Sequence, residues 1–242
     1  MLTPQTRTAS INAGVFGAFS NFSETEHSLL ERAIGASRTH PAGTRLITAG
    51  QFFDKPRLIV SGWAFSAVTF LDGRRQIVDF FLPGDIIGFS SRHGARAYAS
   101  YFALTNLVTA SAHYFLEAAR EQRTEYPALQ KALLAVEERE GLRQIKHIVR
   151  LGRQVARERM ASLILELAHR LEECGLVKAG AFDMPITQEI LGDALGLSSV
   201  HVNRTLQELR REALIRTTQG RMEILNFEGL SAIAGTDLWE AN

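Results

Sequence analysis

The sequence predicts an α+β chain: a β-rich N-terminal half, a long central helix, and a C-terminal pair of short helices followed by a small hairpin. Three observations predict it. Gly43, Gly50, Gly62, Gly73, Gly84, Gly88 and Gly94 separate short apolar runs between Pro41 and about Leu116, which is all-β spacing. No proline interrupts the chain between Pro127 and Pro185, and apolar residues recur there with a helical period. Gly192 and Gly196 then stand four residues apart between two amphipathic stretches, as in a tight turn joining two crossed helices.

Taken in order, the apolar patch from Ile11 to Phe19 is broken by Asn12, Gly14 and Gly17 and preceded by no basic run beyond Arg7. It reads as a lead-in packing on the body, not as a signal peptide. Glu24 to Ile34 has helical composition with Ser23 as its N-cap, so residues 1–36 form a lead-in and helix. Residues 37–122 form a small barrel or sandwich. Its clearest signal is Phe65 to Leu82, where two alternating runs flank Asp72-Gly73; that pair predicts a two-residue type I′ hairpin, both central residues taking positive φ. Pro83-Gly84-Asp85 breaks the strand and Ile86-Ile87-Gly88 restarts it.

Residues 123–152 predict a long helix. Leu134, Leu142, Ile145, Ile148, Val149 and Leu151 give a narrow apolar stripe, and Glu137, Glu138, Arg139, Glu140, Arg143 and Lys146 the wet face. So narrow a stripe predicts a seam with a second copy centred on Leu142, Ile145 and Val149, although Glu138 and Gly141 spoil a strict heptad; a helix packed only on its own β region is the alternative. Gly152 is expected to break it. Val155, Met160, Leu163, Ile164, Leu167 and Leu171 make the buried stripe of the next helix, which ends near Cys174-Gly175, and Leu176 to Met184 is a connector with a short strand.

With 45% hydrophobic and 22% charged residues among 242, the composition is ordinary for a globular chain. The net charge of +1 leaves any nucleic-acid surface to local clustering of Lys and Arg. Cys174 is the only cysteine, which excludes an internal disulfide and an all-thiolate cluster within one chain, and fits a reducing cytoplasm. No apolar run approaches the roughly 20 residues that span a bilayer, so no membrane partner is expected.

The most informative stretch is Met184 to Ile215. Thr187 can cap a first helix whose inward face is Ile190, Leu191, Ala194 and Leu195; Gly192 allows close approach and Gly196 makes the turn. Ser198 can cap a second helix buried through Val202, Leu206 and Leu209, leaving Ser199, Val200, Asn203, Arg204 and Gln207 outward. Short polar groups and one arginine near the helix start suit entry into a DNA major groove. Arg204 can donate two hydrogen bonds to guanine, or contact phosphate, or pair with Glu208; Asn203 can read adenine or hold a phosphate. His201 suits phosphate contact or packing, and Thr187, Gln188, Ser198 and Ser199 lie at the same surface. Arg210, Arg211, Arg216 and Arg221 crowd a hairpin wing built from Ala213 to Arg216 and Met222 to Leu225, and residues 153–230 form the DNA-binding domain.

Nearly the whole chain resembles the Crp/Fnr regulators. The resemblance rests on Gly43 and Gly50, SGW at Ser61 to Trp63, DGRRQIVDFFLPGDIIG at Asp72 to Gly88, LGRQVARERMASLILEL at Leu151 to Leu167, and the helix-turn-helix. It implies a cyclic-nucleotide-binding-like β-barrel (jelly roll), a long dimerisation helix and a winged helix-turn-helix. It further implies a cytoplasmic homodimer, not an enzyme, that binds a near-palindromic double-stranded DNA site, carries a signal from the barrel and touches RNA polymerase.

The departures bear on the signal. Cyclic-nucleotide binders of the family carry Glu where Phe89 stands, and an Arg-Ser or Arg-Thr pair further on; here only Arg92, Arg96 and Ser100 lie nearby, which predicts weak or no cyclic AMP binding. One cysteine cannot supply an iron-sulfur cluster. Haem sensing stays open through His40, His93 and His113, so no cofactor is assigned and a small-molecule effector is possible but unidentified. Better-known relatives carry Glu at the position of Val200, which here can pack on a thymine methyl and predicts a different half-site. Where relatives carry Gly, Ala213 follows the second helix, of little consequence if the turn is helical. Two rivals compete: a cupin-type barrel enzyme, which needs converging His and Glu ligands that the β region lacks, and a cyclic-nucleotide module controlling a partner enzyme, which leaves the helix-turn-helix unexplained.

Overall fold

A computed structural model describes residues 22–89, 96–120 and 125–235. The Ile11 to Phe19 lead-in, Arg92, His93 and Gly94 lie outside them. The described residues form two compact units: one takes those up to Val68 with Phe80–Gly141, the other Thr69–Asp79 with those from Leu142 onward.

The first unit starts with helix α1 (Glu24–Gly35). Its start is a capping box, as Ser23 predicts: the Ser23 hydroxyl accepts from the Glu26 N–H at 3.3 Å and the Glu26 carboxylate accepts from the Ser23 N–H at 2.8 Å. Glu26 also does something the local pattern does not announce. It is fully buried, and its second oxygen accepts the N–H groups of Ala128 and Leu129 at 2.9 and 3.0 Å, so one carboxylate caps two helices. Burial alone would raise its pKa; the hydrogen bonds from Ser23, Leu129 and Ala128 outweigh it and hold the group below its usual value.

Eight strands follow: β1 (Arg38–His40), β2 (Arg45–Ile47), β3 (Arg57–Ser61), β4 (Ala64–Thr69), β5 (Arg75–Phe81), β6 (Ile86–Ile87), β7 (Ser100–Ala103) and β8 (Leu107–Ser111). They make two four-stranded sheets of order β1-β8-β3-β6 and β2-β7-β4-β5, a jelly-roll arrangement. Because side chains alternate across a strand, β3 and β8 feed two cores. Ile59 and Leu107 join Ile47, Phe81, Ile87 and Ala103 in one. Leu58, Val60 and Ala110 face the other, closed by α1, α2 (His113–Arg120) and the start of α3 (Pro127–Arg153).

The β4–β5 hairpin is present, but its turn is not type I′. Only Gly73 takes positive φ (86°); the Gly73 N–H donates to Phe70 O at 3.0 Å and the Phe70 N–H to Arg74 O at 2.8 Å. This is a three-residue loop with glycine at the bulge. Asp72 keeps negative φ because its carboxylate accepts from the Arg74 N–H at 3.0 Å.

In the second unit α3 runs through Gly152 without a positive φ and stops at Arg153, so the expected break shifts to Gln154-Val155. Glycine in a helix is tolerated at a cost of about 1 kcal/mol. Val155 is the N-cap of α4 (Ala156–Glu173), 62% exposed, and does not belong to the buried stripe. The remainder of that stripe, Met160, Leu163, Ile164, Leu167 and Leu171, is buried as expected. Charges are buried too. Arg150 and Glu166, with side chains 3% and 8% exposed, form an ion pair, and Arg170 approaches the other Glu166 oxygen at 3.4 Å. Arg143 meets Asp79, at the base of the hairpin segment, at 3.0 Å. Among the described residues no helix is long and apolar enough to cross a membrane.

Candidate nucleic-acid interface

Two short helices carry the candidate interface, and local chemistry sets the ends of both. The Thr187 hydroxyl accepts from the Ile190 N–H at 3.3 Å to start α5 (Gln188–Leu195), and Gly196 ends it at φ 66°. The Ser198 hydroxyl accepts from the His201 N–H at 3.3 Å to start α6 (Ser199–Arg211). Gly192 is where the backbones meet: a Cβ there would lie 2.5 Å from the Leu197 carbonyl oxygen. Arg159 on α4 fixes this corner from below, donating to Leu195 O at 2.8 Å and to Leu151 O at 3.0 Å.

Val202, Leu206 and Leu209 are buried as the spacing predicts, joined by Thr205. Thr205 went unread because it is polar, although it sits three residues after Val202. The opposite face is open: Ser199, Val200, His201, Arg204 and Gln207 are exposed and Asn203 is half-buried. Val200 is 80% exposed. Arg204 donates to Glu208 one turn on at 3.0 Å, the ion-pair alternative for this residue, and remains 76% exposed. That hydrogen bond is the main cause holding the Glu208 carboxyl below its usual pKa. Thr187 and Gln188 are exposed at the start of α5.

After α6 the Ala213 N–H bonds to Arg210 O and the Leu214 N–H to Leu209 O, a Schellman ending with Ala213 left-handed at φ 53°. The turn is therefore not helical, and the alanine matters: a Cβ is strained in this conformation. Ala213→Gly is expected to stabilise the protein by about 1 kcal/mol, read as a higher denaturant midpoint at unchanged slope.

The wing is β10 (Ile215–Thr218) and β11 (Arg221–Ile224), with β9 (Ala181–Asp183) on the far edge of β11. Thr218 pairs with Arg221, and Gln219 and Gly220 both take positive φ (47° and 79°), so the type I′ turn occurs here. Arg216 pairs with Glu223 at 2.8 Å and Arg221 with Asp183 at 3.5 Å, while Arg210 donates to the Thr217 hydroxyl at 3.0 Å. All three are surface contacts of small energy. Sequence reasoning also missed the far side of α5: Arg75, in the hairpin segment, donates to Asp193 at 2.8 Å, and the Gln76 amide donates to Ala194 O at 3.3 Å.

Of the residues expected in a seam, Ile145 is 55% exposed, while Leu142 and Val149 are half-buried; Leu134 and Ile148 are 65% and 68% exposed. At the position where cyclic-nucleotide binders of the family carry glutamate, Phe89 is buried in the core under α1 and α2, its carbonyl accepting from Arg120 at 3.0 Å. Of the histidines considered for haem, His113 lies 3.3 Å from Glu117, and His40 bonds to Thr109 at 3.0 Å. Among the described residues no three His, Cys, Asp or Glu side chains converge as a metal set.

Residues 158–233 match the Crp-like helix-turn-helix domain family. The chain is 30% identical over 205 residues to the transcriptional activator protein FnrL of Cereibacter sphaeroides, covering 83% of this chain and 81% of that protein. It is 35% identical over 170 residues to the nitrogen fixation regulation protein FixK of Bradyrhizobium diazoefficiens, covering 67% of each. Among solved structures, FixK2 from Bradyrhizobium japonicum shares the fold with a TM-score of 0.70 at 24% identity, over 82% of this chain and 96% of that one.

Proposed function

This chain belongs to the Crp/Fnr family of DNA-binding transcription regulators, and from that premise we propose that it acts as a homodimer on a near-palindromic site, reading it with α6. The observation that carries this reading is the division of α6 into a buried face of Val202, Thr205, Leu206 and Leu209 and an open face led by Val200 and Arg204. Arg204 exchanges Glu208 for guanine O6 and N7, Val200 packs on a thymine methyl, and Asn203 takes an adenine edge or a phosphate. Thr187, Gln188, Ser198, Ser199, His201, Arg216 and Arg221 hold phosphates and set the register.

The seam of the dimer runs along α3 through Leu142, Ile145 and Val149; the exposure of Ile145 and Ile148 supports it, since solvated isoleucines three apart on one helix favour a partner. Two recognition helices about 34 Å apart then enter successive major grooves. The division into residues 1–36, 37–122, 123–152 and 153–230 follows these roles. The regulator works in the cytoplasm, contacts RNA polymerase, and uses neither cyclic AMP nor an iron-sulfur cluster. Phe89 supports the first exclusion because its ring fills the core where those binders place a carboxylate.

Selection from random DNA tests this reading. It returns a two-fold site, and Arg204→Ala weakens binding to that site by about 1–3 kcal/mol, roughly 5- to 150-fold, while relaxing the base preference at one position of each half-site. Arg216→Ala weakens all sequences alike and reduces the salt dependence. Recovery of no preferred sequence, or an unchanged preference in Arg204→Ala, overturns it.

A further inference from the structure

We propose that the β1–β8–β3 sheet carries a binding site for a small oxyanion, a carboxylate or phosphate borne by a metabolite, gripped by Arg57 with His40 and Arg38 beside it. The strand register places these groups together. Arg38 is opposite Thr109, His40 opposite Leu107, Arg57 opposite Ser111, and Ile59 opposite Thr109. Residues directly opposite share a face, so the three basic side chains lie on the side that bears Ile59 and Leu107. Arg57 is half-buried; its Nη1 lies 3.3 Å from His40 Nε2, and that nitrogen lies 3.0 Å from the Thr109 hydroxyl. The Arg57 Nε is buried with no hydrogen-bond partner.

Among the described residues no carboxylate pairs with Arg38, His40 or Arg57. The contrast with Arg150 is direct, because that buried guanidinium has Glu166. Burial, then Arg38, pushes the Arg57 pKa down; burial, then Arg57 and Arg38, pushes His40 down. His40 is thereby kept neutral and offers Arg57 a dipole, not a counter-charge. A half-buried guanidinium with an orphaned N–H costs stability that an arriving oxyanion restores, and its planar fork matches carboxylate and phosphate geometry. Phe89 packs in the other core, so this site does not use the position where cyclic-nucleotide binders carry glutamate. The proposal does not depend on how α6 reads DNA.

The test is NMR on the full chain. The His40 ring signal is identified by its loss in His40→Gln and followed as sodium phosphate, and separately sodium acetate, replaces sodium chloride at constant ionic strength. A saturable shift of that signal, accompanied by a higher melting temperature, is expected. Phosphate alone acting points to a phosphate-bearing ligand, acetate alone to a carboxylate, and both to either. Anions that collect on the DNA-binding face shift His201 and leave His40 unmoved. In Arg57→Met the His40 response disappears while the ion-free protein melts higher than wild type, because an uncompensated cation has gone; Arg57→Lys, which keeps the charge without the fork, responds more weakly. A His40 signal unmoved by both anions, a shift that never saturates, or a saturable shift persisting in Arg57→Met overturns the proposal.

Discussion

Replacing Glu166 by alanine is expected to lower the unfolding free energy by about 3–5 kcal/mol, the usual cost of stripping one partner from a buried ion pair. The carboxylate sits between Arg150, almost fully buried, and Arg170, with Asp79 neutralising Arg170 and Arg143 on the far side. Burial would raise its pKa, but Arg150 and Arg170 together outweigh burial and hold it below 4.5. A carboxyl whose folded pKa is depressed stabilises fully above its unfolded value and loses that contribution as pH falls through the folded one. The gap between wild type and Glu166→Ala should therefore be constant at neutral pH and close only below about pH 4.5. Urea titrations of both proteins at neutral pH and at pH 3 measure it; a gap that widens on acidification contradicts the assignment. Glu166→Leu with Arg150→Met should be far milder than either single change, since most of the cost lies in the charge left behind.

The second large effect belongs to Gly192. Any Cβ there falls 2.5 Å from the Leu197 carbonyl oxygen, a backbone atom that cannot swing aside as a side chain would. Gly192→Val should cost about 3 kcal/mol, the upper end for overpacking, because the valine methyls add to that clash. The loss is not evenly spread. Leu197 and Ser198 lead directly into α6, so relief of the clash moves the helix proposed to read DNA, and DNA binding should fall further than the stability change accounts for. Gel shifts at a temperature where circular dichroism shows the variant folded separate the two; retention of wild-type affinity there sinks the claim that Gly192 sets the helix crossing.

The helix-turn-helix was readable because everything that shapes it is local. Thr187 and Ser198 cap helices three residues on, and Gly192 and Gly196 sit beside the contacts that require them. Turn chemistry was less legible. Asp72-Gly73 fits both a two-residue and a three-residue hairpin, and the choice rests on a side-chain bond from the Arg74 N–H to Asp72. At Ala213 the hydrogen bonds that end α6 force a conformation that alanine does not advertise. Gly152 does not end α3, since a glycine weakens a helix without ending it when the flanking turns are packed. Other features were invisible for a different reason. Glu26 looks like any wet-face residue of an amphipathic helix, Arg75 like any residue near a hairpin tip, and Arg57 like the start of an exposed strand. Their partners are set by tertiary pairing across long sequence separations, such as the 118 residues between Arg75 and Asp193.

Glu26 also imposes a delay on biosynthesis. Its second set of partners, Ala128 and Leu129, lies 102 and 103 residues further along the chain. At ~5–20 residues per second, the ribosome delivers those amides about 5–20 s after the carboxylate. Until then the segment that becomes α1 has its capping box and nothing to bury it, and an isolated helix of 12 residues is marginal in water. The nascent first unit is therefore expected to stay open, with Leu30 and Ile34 accessible to chaperones, until the first turn of α3 has left the exit tunnel.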